Sequence, residues 1–503
     1  MSDVADSAPV QHRGRVLGAL MVATGLAALD ATIVATAVPS IVRDVGGFSS
    51  FPWVFSIYLL TQAVSVPLYG RLSDLYGRKP VLFVGIGVFL LGSVLCGSAW
   101  SMVTLIAFRG LQGIGAGAII PMTSTIVGDL YTVEERGKAQ GYISSVWGVA
   151  SVLGPALGGL LSEYASWRWI FFINIPVGIA AIALLQAHLR ERVERRPHRI
   201  DYAGAVVLTL GLSLAILALL EGGVQWAWIS TPSVALFVAA AALLAGFVAI
   251  ERRASEPILP PWLFGRRMLV AGNLSTFAVG AVLIGQSSYV PTYAQGVVGV
   301  GPVLAGFALC GYSLGWSVAA SVAPRLYLRF DFRATAIVGG LLMIAGCLVF
   351  VTFVREQSGL WHVALATVVT GFGLGFSSTS VIVGIQSVVG WSRRGVVTGT
   401  NLFMRSIGSA VGVAIFGSIA NTTLAHRFDH PPAPLRGKLP SSVDAAALSF
   451  SHRPRPPAVV DYTRAALYSA THWIFWALVA AAVLGLAAQL AMPRRAEQLV
   501  FAD

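Results

Sequence analysis

Fourteen apolar runs of roughly 18 to 29 residues follow one another along this 503-residue chain. They lie near 16–38, 53–70, 80–98, 102–128, 139–162, 169–189, 202–221, 233–250, 268–295, 302–324, 333–354, 361–389, 396–421 and 468–491, parted by charged or Gly/Pro-rich breaks. A helix of about 20 apolar residues crosses a bilayer, and inside lipid the helix satisfies its own backbone polar groups. The chain therefore reads as an all-α polytopic membrane protein with 14 transmembrane helices. Composition agrees, since 56% of residues are hydrophobic, 11% are charged and the mean hydropathy is +0.76. That combination excludes a soluble domain of ordinary composition.

The formal net charge of +12 is spread between the runs and not gathered on one face or tail, so it reads as topology and not as a nucleic-acid surface. With both termini inside, roughly 23 Lys and Arg fall in inner segments against about 3 in the short outer loops. The chain is expected in the plasma membrane with both ends in the cytoplasm. The first run has no small-residue cleavage site behind it, so it is expected to stay as helix 1.

Sliding the chain against itself shows a repeat at an offset of about 258 residues. Gly113, Gly115 and Gly117 fall on Gly371, Gly373 and Gly375; Arg136, Gly137 and Gly141 fall on Arg394, Gly395 and Gly399; Gly154 and Gly159 fall on Gly412 and Gly417. This predicts a six-helix half over 1–190, an inserted helix pair with cytoplasmic linkers over 191–266, a second six-helix half over 267–491 and a cytoplasmic tail over 492–503. Within the second half, the Pro-rich stretch 421–467 reads as a long flexible external loop. Two halves repeated in the same orientation are the architecture of a rocking secondary transporter.

Asp30 lies inside the first run with no basic residue within reach on its own helix. A charge there costs a few kcal/mol or more to bury, so it is either a packing residue neutralised by one Arg or a functional site. Arg109 lies about 7 residues from the outer end of span 4 and Asp30 about 8 from that of span 1, which at 1.5 Å rise sets both at one depth. In spans 9 to 13 Arg405 is the only deep charge, and it needs carbonyls, water, a substrate or Asp30 as partner. Gln112, Gln286, Tyr289, Asn401 and Arg405 are the candidate substrate-cavity residues.

The segment Gly70-Arg71-Leu72-Ser73-Asp74-Leu75-Tyr76-Gly77-Arg78-Lys79 sits between spans 2 and 3 and can form an ion-pair cluster at the membrane surface. It resembles the cytoplasmic loop signature of the major facilitator superfamily. The resemblance implies that Asp74, Arg71, Arg78 and Lys79 serve gating, with Asp74 and Arg78 holding one gating state. The second half carries a degraded copy, Pro324-Arg325-Leu326 with Phe330-Asp331-Phe332-Arg333, in which Leu328 stands for Asp74. Leu105 to Gly115 is similar to the family's proton-translocation signature, which implies that Arg109 faces Asp30 and that the two couple proton movement. Gly154-Pro155-Ala156-Leu157-Gly158-Gly159 resembles the signature of the antiporters, with Ala150 in place of an earlier Gly, and implies a smooth face where the halves slide. Leu29 to Pro39 and Trp167 to Pro176 resemble the fourteen-helix drug:proton antiporters of the EmrB/QacA type. Family members often carry Asn near Ala35 or Thr36, and this chain has none there.

The expected function is proton-coupled export of amphipathic, lipophilic or cationic compounds, with the alternative of an exporter dedicated to one endogenous metabolite, lipid or self-made antibiotic. Partners are a small molecule, protons and lipid, with a monomer expected. No GxxxxGK[ST] loop is present, so the proton gradient and no cofactor is the expected energy source. The eight His lie at span ends or in loops, and Cys96, Cys310 and Cys347 show no paired spacing, so neither an enzyme nor a metal site is expected.

Overall fold

A computed structural model describes residues 13–46, 52–191, 201–222, 226–254, 257, 259–300, 302–354, 359–432, 435 and 456–495. These residues form helices throughout: α1 Arg13–Val45, α2 Pro52–Tyr76, α3 Arg78–Gly97, α4 Met102–Leu130, α5 Val133–Tyr164, a short α6 Trp169–Phe172, α7 Asn174–His188, α8 Tyr202–Glu221 and α9 Thr231–Glu251. They continue with a short α10 Trp262–Gly265, α11 Arg267–Tyr293 running into a π-helical turn Ala294–Val298, α12 Pro302–Arg329, α13 Phe332–Thr352, α14 Leu360–Ser387, α15 Trp391–Asp429 and α16 Pro457–Leu490. Among the described residues twelve helices are long and apolar enough to cross a bilayer, and α8 adds a shorter apolar stretch, Ala203–Leu219. The protein is a multi-pass membrane protein.

Local chemistry fixes the helix starts. Before α4, Ser101 Oγ accepts from the Thr104 N–H at 3.3 Å while the Ser101 N–H donates to Thr104 Oγ1 at 3.1 Å, a reciprocal cap of two otherwise orphan donors. Asp201 Oδ1 accepts from the Gly204 N–H at 2.8 Å and opens α8. One residue, Gly77 at φ 93°, turns the chain from α2 into α3, a backbone conformation that disfavours any side chain.

Helix pairing repeats along the chain. In the first set α1 packs on α5 and α7, and α4 packs on α2 and α3; in the second α11 packs on α15 and α16, and α14 packs on α12 and α13. The sets meet through α2 on α15 and α5 on α12, while α8 and α9 pair with each other and α8 leans on α2 and α15. The glycine repeat explains the closeness. A Cβ at Gly115 would lie 2.3 Å from Phe89 N and 2.6 Å from Gly85 O; at Gly373 it would lie 2.4 Å from Met343 N and 2.7 Å from Gly339 O. Gly113 and Gly371 likewise face Tyr58 and Tyr312, so α2 and α3 repeat at an offset of 254 where α4 and α5 repeat at 258.

The expected loop over 421–467 is shorter than the sequence suggested. Asn421 to Asp429 continues α15 and Pro457 to Leu467 already belongs to α16. Leu424 and Phe428, one turn apart, enter the buried cluster that holds Ala466 and Leu467, and this apolar contact extends both helices past the polar residues that had marked their ends. Residues 433–434 and 436–455 of that loop, the linker 192–200 and the tail 496–503 lie outside the described residues.

Gly115→Ala and Gly373→Ala are expected to lower stability by about 1–3 kcal/mol, because backbone and not a movable side chain faces the added carbon. Gly87, with open space around it, should accept Ala without loss. Thermal unfolding of the detergent-purified variants checks both statements.

Candidate functional site

Asp30 on α1 is fully buried and meets three donors from two other helices. Arg109 Nη1 on α4 donates to Asp30 Oδ2 at 2.7 Å. The other oxygen, Oδ1, accepts from Gln112 Nε2 at 2.8 Å and from Asn174 Nδ2 of α7 at 3.0 Å. Ser93 Oγ on α3 receives the second hydrogens of these amides, at 2.7 Å from Gln112 and 3.2 Å from Asn174. Arg109 also donates to Gln112 Oε1 at 2.7 Å and to the Val54 carbonyl of α2 at 3.2 Å, and its guanidinium lies 4.1 Å from the centre of the Tyr58 ring. Every side chain that hydrogen-bonds the carboxylate is a donor.

Gly92 makes the network possible. A Cβ there would lie 2.6 Å from Gln112 Cα, so α3 comes close enough for Ser93 to reach the amide. Sequence reasoning missed Ser93 and Asn174. Asn174 lay inside the quoted run Trp167 to Pro176 and was its one neutral amide, whereas Ser93 gave no signal. Gln112, expected in a substrate cavity, is instead spent within the Asp30 network, because both of its amide atoms already have partners.

A second cluster joins the two helix sets at the end that carries the α2–α3 turn. Asp74 accepts from the backbone N–H of Gly395 at 2.9 Å and of Val396 at 2.7 Å, and it pairs with Arg78 at 2.9 Å. Arg78 also donates to the Ser73 and Trp391 carbonyls, each at 2.6 Å, and to Asp129 at 3.0 Å, and it lies 4.0 Å from the centre of the Trp391 ring. Asp129 binds Arg394 as well. Gly70 lets the chains touch, since its Cβ would fall 2.9 Å from Gly395 O. Arg71 adds positive charge near Asp74. Lys79 does not join this cluster. Its Nζ donates to the Leu189 carbonyl at 2.7 Å and caps α7, because the turn at Gly77 aims it away from α15. In the second set Leu328 is exposed and Asp331 caps α13, so no equivalent cluster forms there among the described residues.

The Gly154 run also sits differently from expectation. A Cβ at Gly154 would meet Thr32 Oγ1 at 2.0 Å, and the Thr32 hydroxyl donates to the Ala150 carbonyl at 3.0 Å, so this part of α5 seals onto α1 two residues past Asp30. Gly158 is buried, Gly159 faces open space, and the side chain of Pro155 lies outside the described residues. Contact between the sets runs instead through Gly137, Gly141 and Gly148, which face Pro324, Ser321 and Ser313 of α12. The reason is position along α5: its first half leans on α12 and its second half on α1.

Of the remaining candidates, Asn401 bonds Asn273 and Thr276 of α11, each at 3.0 Å, and so ties α15 to α11. Gln286 is buried beside Cys347. Tyr289 stands edge-on to Phe416, 6.4 Å between ring centres, and lines a cavity of about 250 Å³ with Thr292, Asn421 and Thr471. Arg405 on α15 is half-buried and forms no ion pair with Asp30.

A bundle of membrane-crossing helices in two like sets, closed together at one end, has the architecture of a secondary transporter. The sequence profile described as Major Facilitator Superfamily matches residues 20–413, and the chain belongs to that superfamily. It is similar to Multidrug resistance protein 3 of Bacillus subtilis (strain 168), with 34% identity over 84% of this chain and 82% of the relative. The Multidrug transporter protein MdtP of the same organism is also 34% identical, over 86% of this chain and 80% of that one. Efflux pump dotC of Dothistroma septosporum is 30% identical over 95% and 84%. The crystal structure of the human organic anion transporter MFSD10 (TETRAN) shares the fold, with a TM-score of 0.61 and 14% identity over 94% of this chain and 99% of that one. With multidrug and efflux pumps among its relatives, the protein is an efflux-type transporter of small molecules.

Arg109→Ala leaves a carboxylate buried among amides and is expected to cost about 3–5 kcal/mol. Asn174→Ala removes one of three donors and is expected to cost about 1–2 kcal/mol. Chemical or thermal unfolding in detergent should give that order.

Proposed function

We propose that this protein is a proton-coupled antiporter that exports amphipathic or lipophilic compounds by alternating access between two six-helix halves. The fourteen crossings of the drug:proton type are the twelve apolar helices with α8 and α12 added. In this reading it works in the plasma membrane as a monomer, with both termini in the cytoplasm and the proton gradient in place of a cofactor. The observation that carries the reading is the sealed Asp30–Arg109 pair, the one acid found deep in a crossing helix among the described residues.

The mechanism follows from which contacts must break. A proton arriving at Asp30 Oδ2 removes the negative charge that holds Arg109 at 2.7 Å, and Arg109 is then left to Gln112 and the Val54 carbonyl. The pair thereby exchanges a proton for a shift between α1 and α4. Because Thr32 and Gly154 lock α1 to α5, and α5 lies along α12, that shift reaches the seam between the halves. With Asp74 bound to α15, the end bearing the α2–α3 turn is shut, and this is the cytoplasmic face in the proposed topology. In this reading a shut cytoplasmic end belongs to the stage at which an exporter releases its load outside and takes up a proton.

Asp30→Asn keeps the size of the side chain and loses the titration. In proteoliposomes with an imposed pH gradient it should abolish gradient-driven export while the protein still inserts and unfolds cooperatively. Gradient-driven export retained by this variant would overturn the proposal.

A further inference from the structure

Arg405 and Arg109 are two deep guanidiniums with opposite surroundings. Arg109 has an acid, an amide oxygen and a carbonyl within bonding distance. No hydrogen bond or ion pair of Arg405 is found among the described residues. The described acids of α11–α16 and their connections are Asp331, Asp429 and Asp461, all at helix ends. Arg405 lies about 21 Å along α15 from its start at Trp391, near mid-membrane, by 1.5 Å rise per residue. Cations kept at such depth pair with an acid or line a water-filled or substrate pathway.

The helix that carries it is held in place. Asn401, one turn earlier, bonds Asn273 and Thr276. Ser409, one turn later, donates to the Gly280 carbonyl at 3.0 Å, and a Cβ at Gly280 would lie 2.0 Å from Arg405 O. The backbone at Arg405 is thus fixed against α11, its side chain is half-buried, and its charge and the Tyr312 phenol of α12 influence each other electrostatically. Tyr312 stands edge-on to Trp316, 5.9 Å between ring centres. A fixed cation, a phenol and two aromatic faces make a receptor for a flat apolar body with one negative group.

We propose that Arg405, Tyr312 and Trp316 form an anion-accepting subsite in the second half, so that the preferred cargo is an amphipath bearing a carboxylate, sulfonate or phosphate. This names the substrate class for the export reading above and rests on it. A cationic amphipath would face a like charge in a low-dielectric interior, whereas an anion supplies the partner that Arg405 lacks among the described residues.

The test uses two probes of nearly one shape, 8-anilinonaphthalene-1-sulfonate and its uncharged analogue N-phenyl-1-naphthylamine, with tetraphenylphosphonium as the cation. Binding is measured on the full chain in detergent without any gradient, and transport in proteoliposomes with one. The sulfonate should bind more tightly than the other two. Arg405→Gln should weaken sulfonate binding about tenfold or more and leave the neutral probe within about twofold. Arg405→Lys, which keeps the charge and loses the planar fork, should retain part of the preference and guards against a folding defect. Equal losses for the sulfonate and neutral probes, or tighter binding of tetraphenylphosphonium by the unaltered protein, would overturn the subsite. Sulfonate binding that depends on Arg405 without gradient-driven transport would keep the subsite and sink the antiport reading.

Discussion

A single carboxylate holds the first half of this transporter together. Asp30 is reached from α4 by Arg109 and Gln112 and from α7 by Asn174, while Ser93 ties both amides to α3. Four helices therefore share one buried charge. Taking an ion pair out of water is repaid only when its geometry is good and the remaining lone pairs are filled, and here both carboxylate oxygens are filled, by α4 and α7. In the proposed mechanism, a proton at this node loosens the grip of α4 on α1.

The second half repeats the helix pairing without repeating the charge. Its buried polar contacts are neutral: Asn401 with Asn273 and Thr276, and Gln489 Nε2 with Ser275 at 3.0 Å and Ser377 at 2.7 Å. The same division appears at the cytoplasmic face of the proposed topology, where Asp74 and Arg78 grip α15 while Leu328, their counterpart's position, is exposed. In this picture the first half senses protons and holds the gate. The second half is a scaffold for cargo, and Arg405 is its one deep charge among the described residues.

Much of the fold was legible because lipid leaves so few options. Apolar length gave the helices, and a glycine repeat gave the twofold plan, since only glycine allows α3 and α4, or α13 and α14, to approach backbone to backbone. The equal depth of Asp30 and Arg109 followed from helix rise, and their adjacency only from resemblance to a family. Ser93 and Asn174 stayed hidden because a lone Ser or Asn in a crossing helix looks like any interhelical hydrogen bond. Lys79 and Gly154 lie apart from the neighbours the sequence suggested for one shared reason. Sequence shows which residues are near one another along a helix, but not toward which neighbour each turns.

The central claim is that Asp30 carries the exchanged proton, and proton release on ligand binding tests it most directly. Purified protein in weakly buffered detergent solution is titrated with a transported compound while pH is followed. If Asp30 carries the proton, the unaltered protein releases protons on binding in a narrow pH range, and Asp30→Asn binds the same compound with no release. Equal proton release by the two proteins would contradict it.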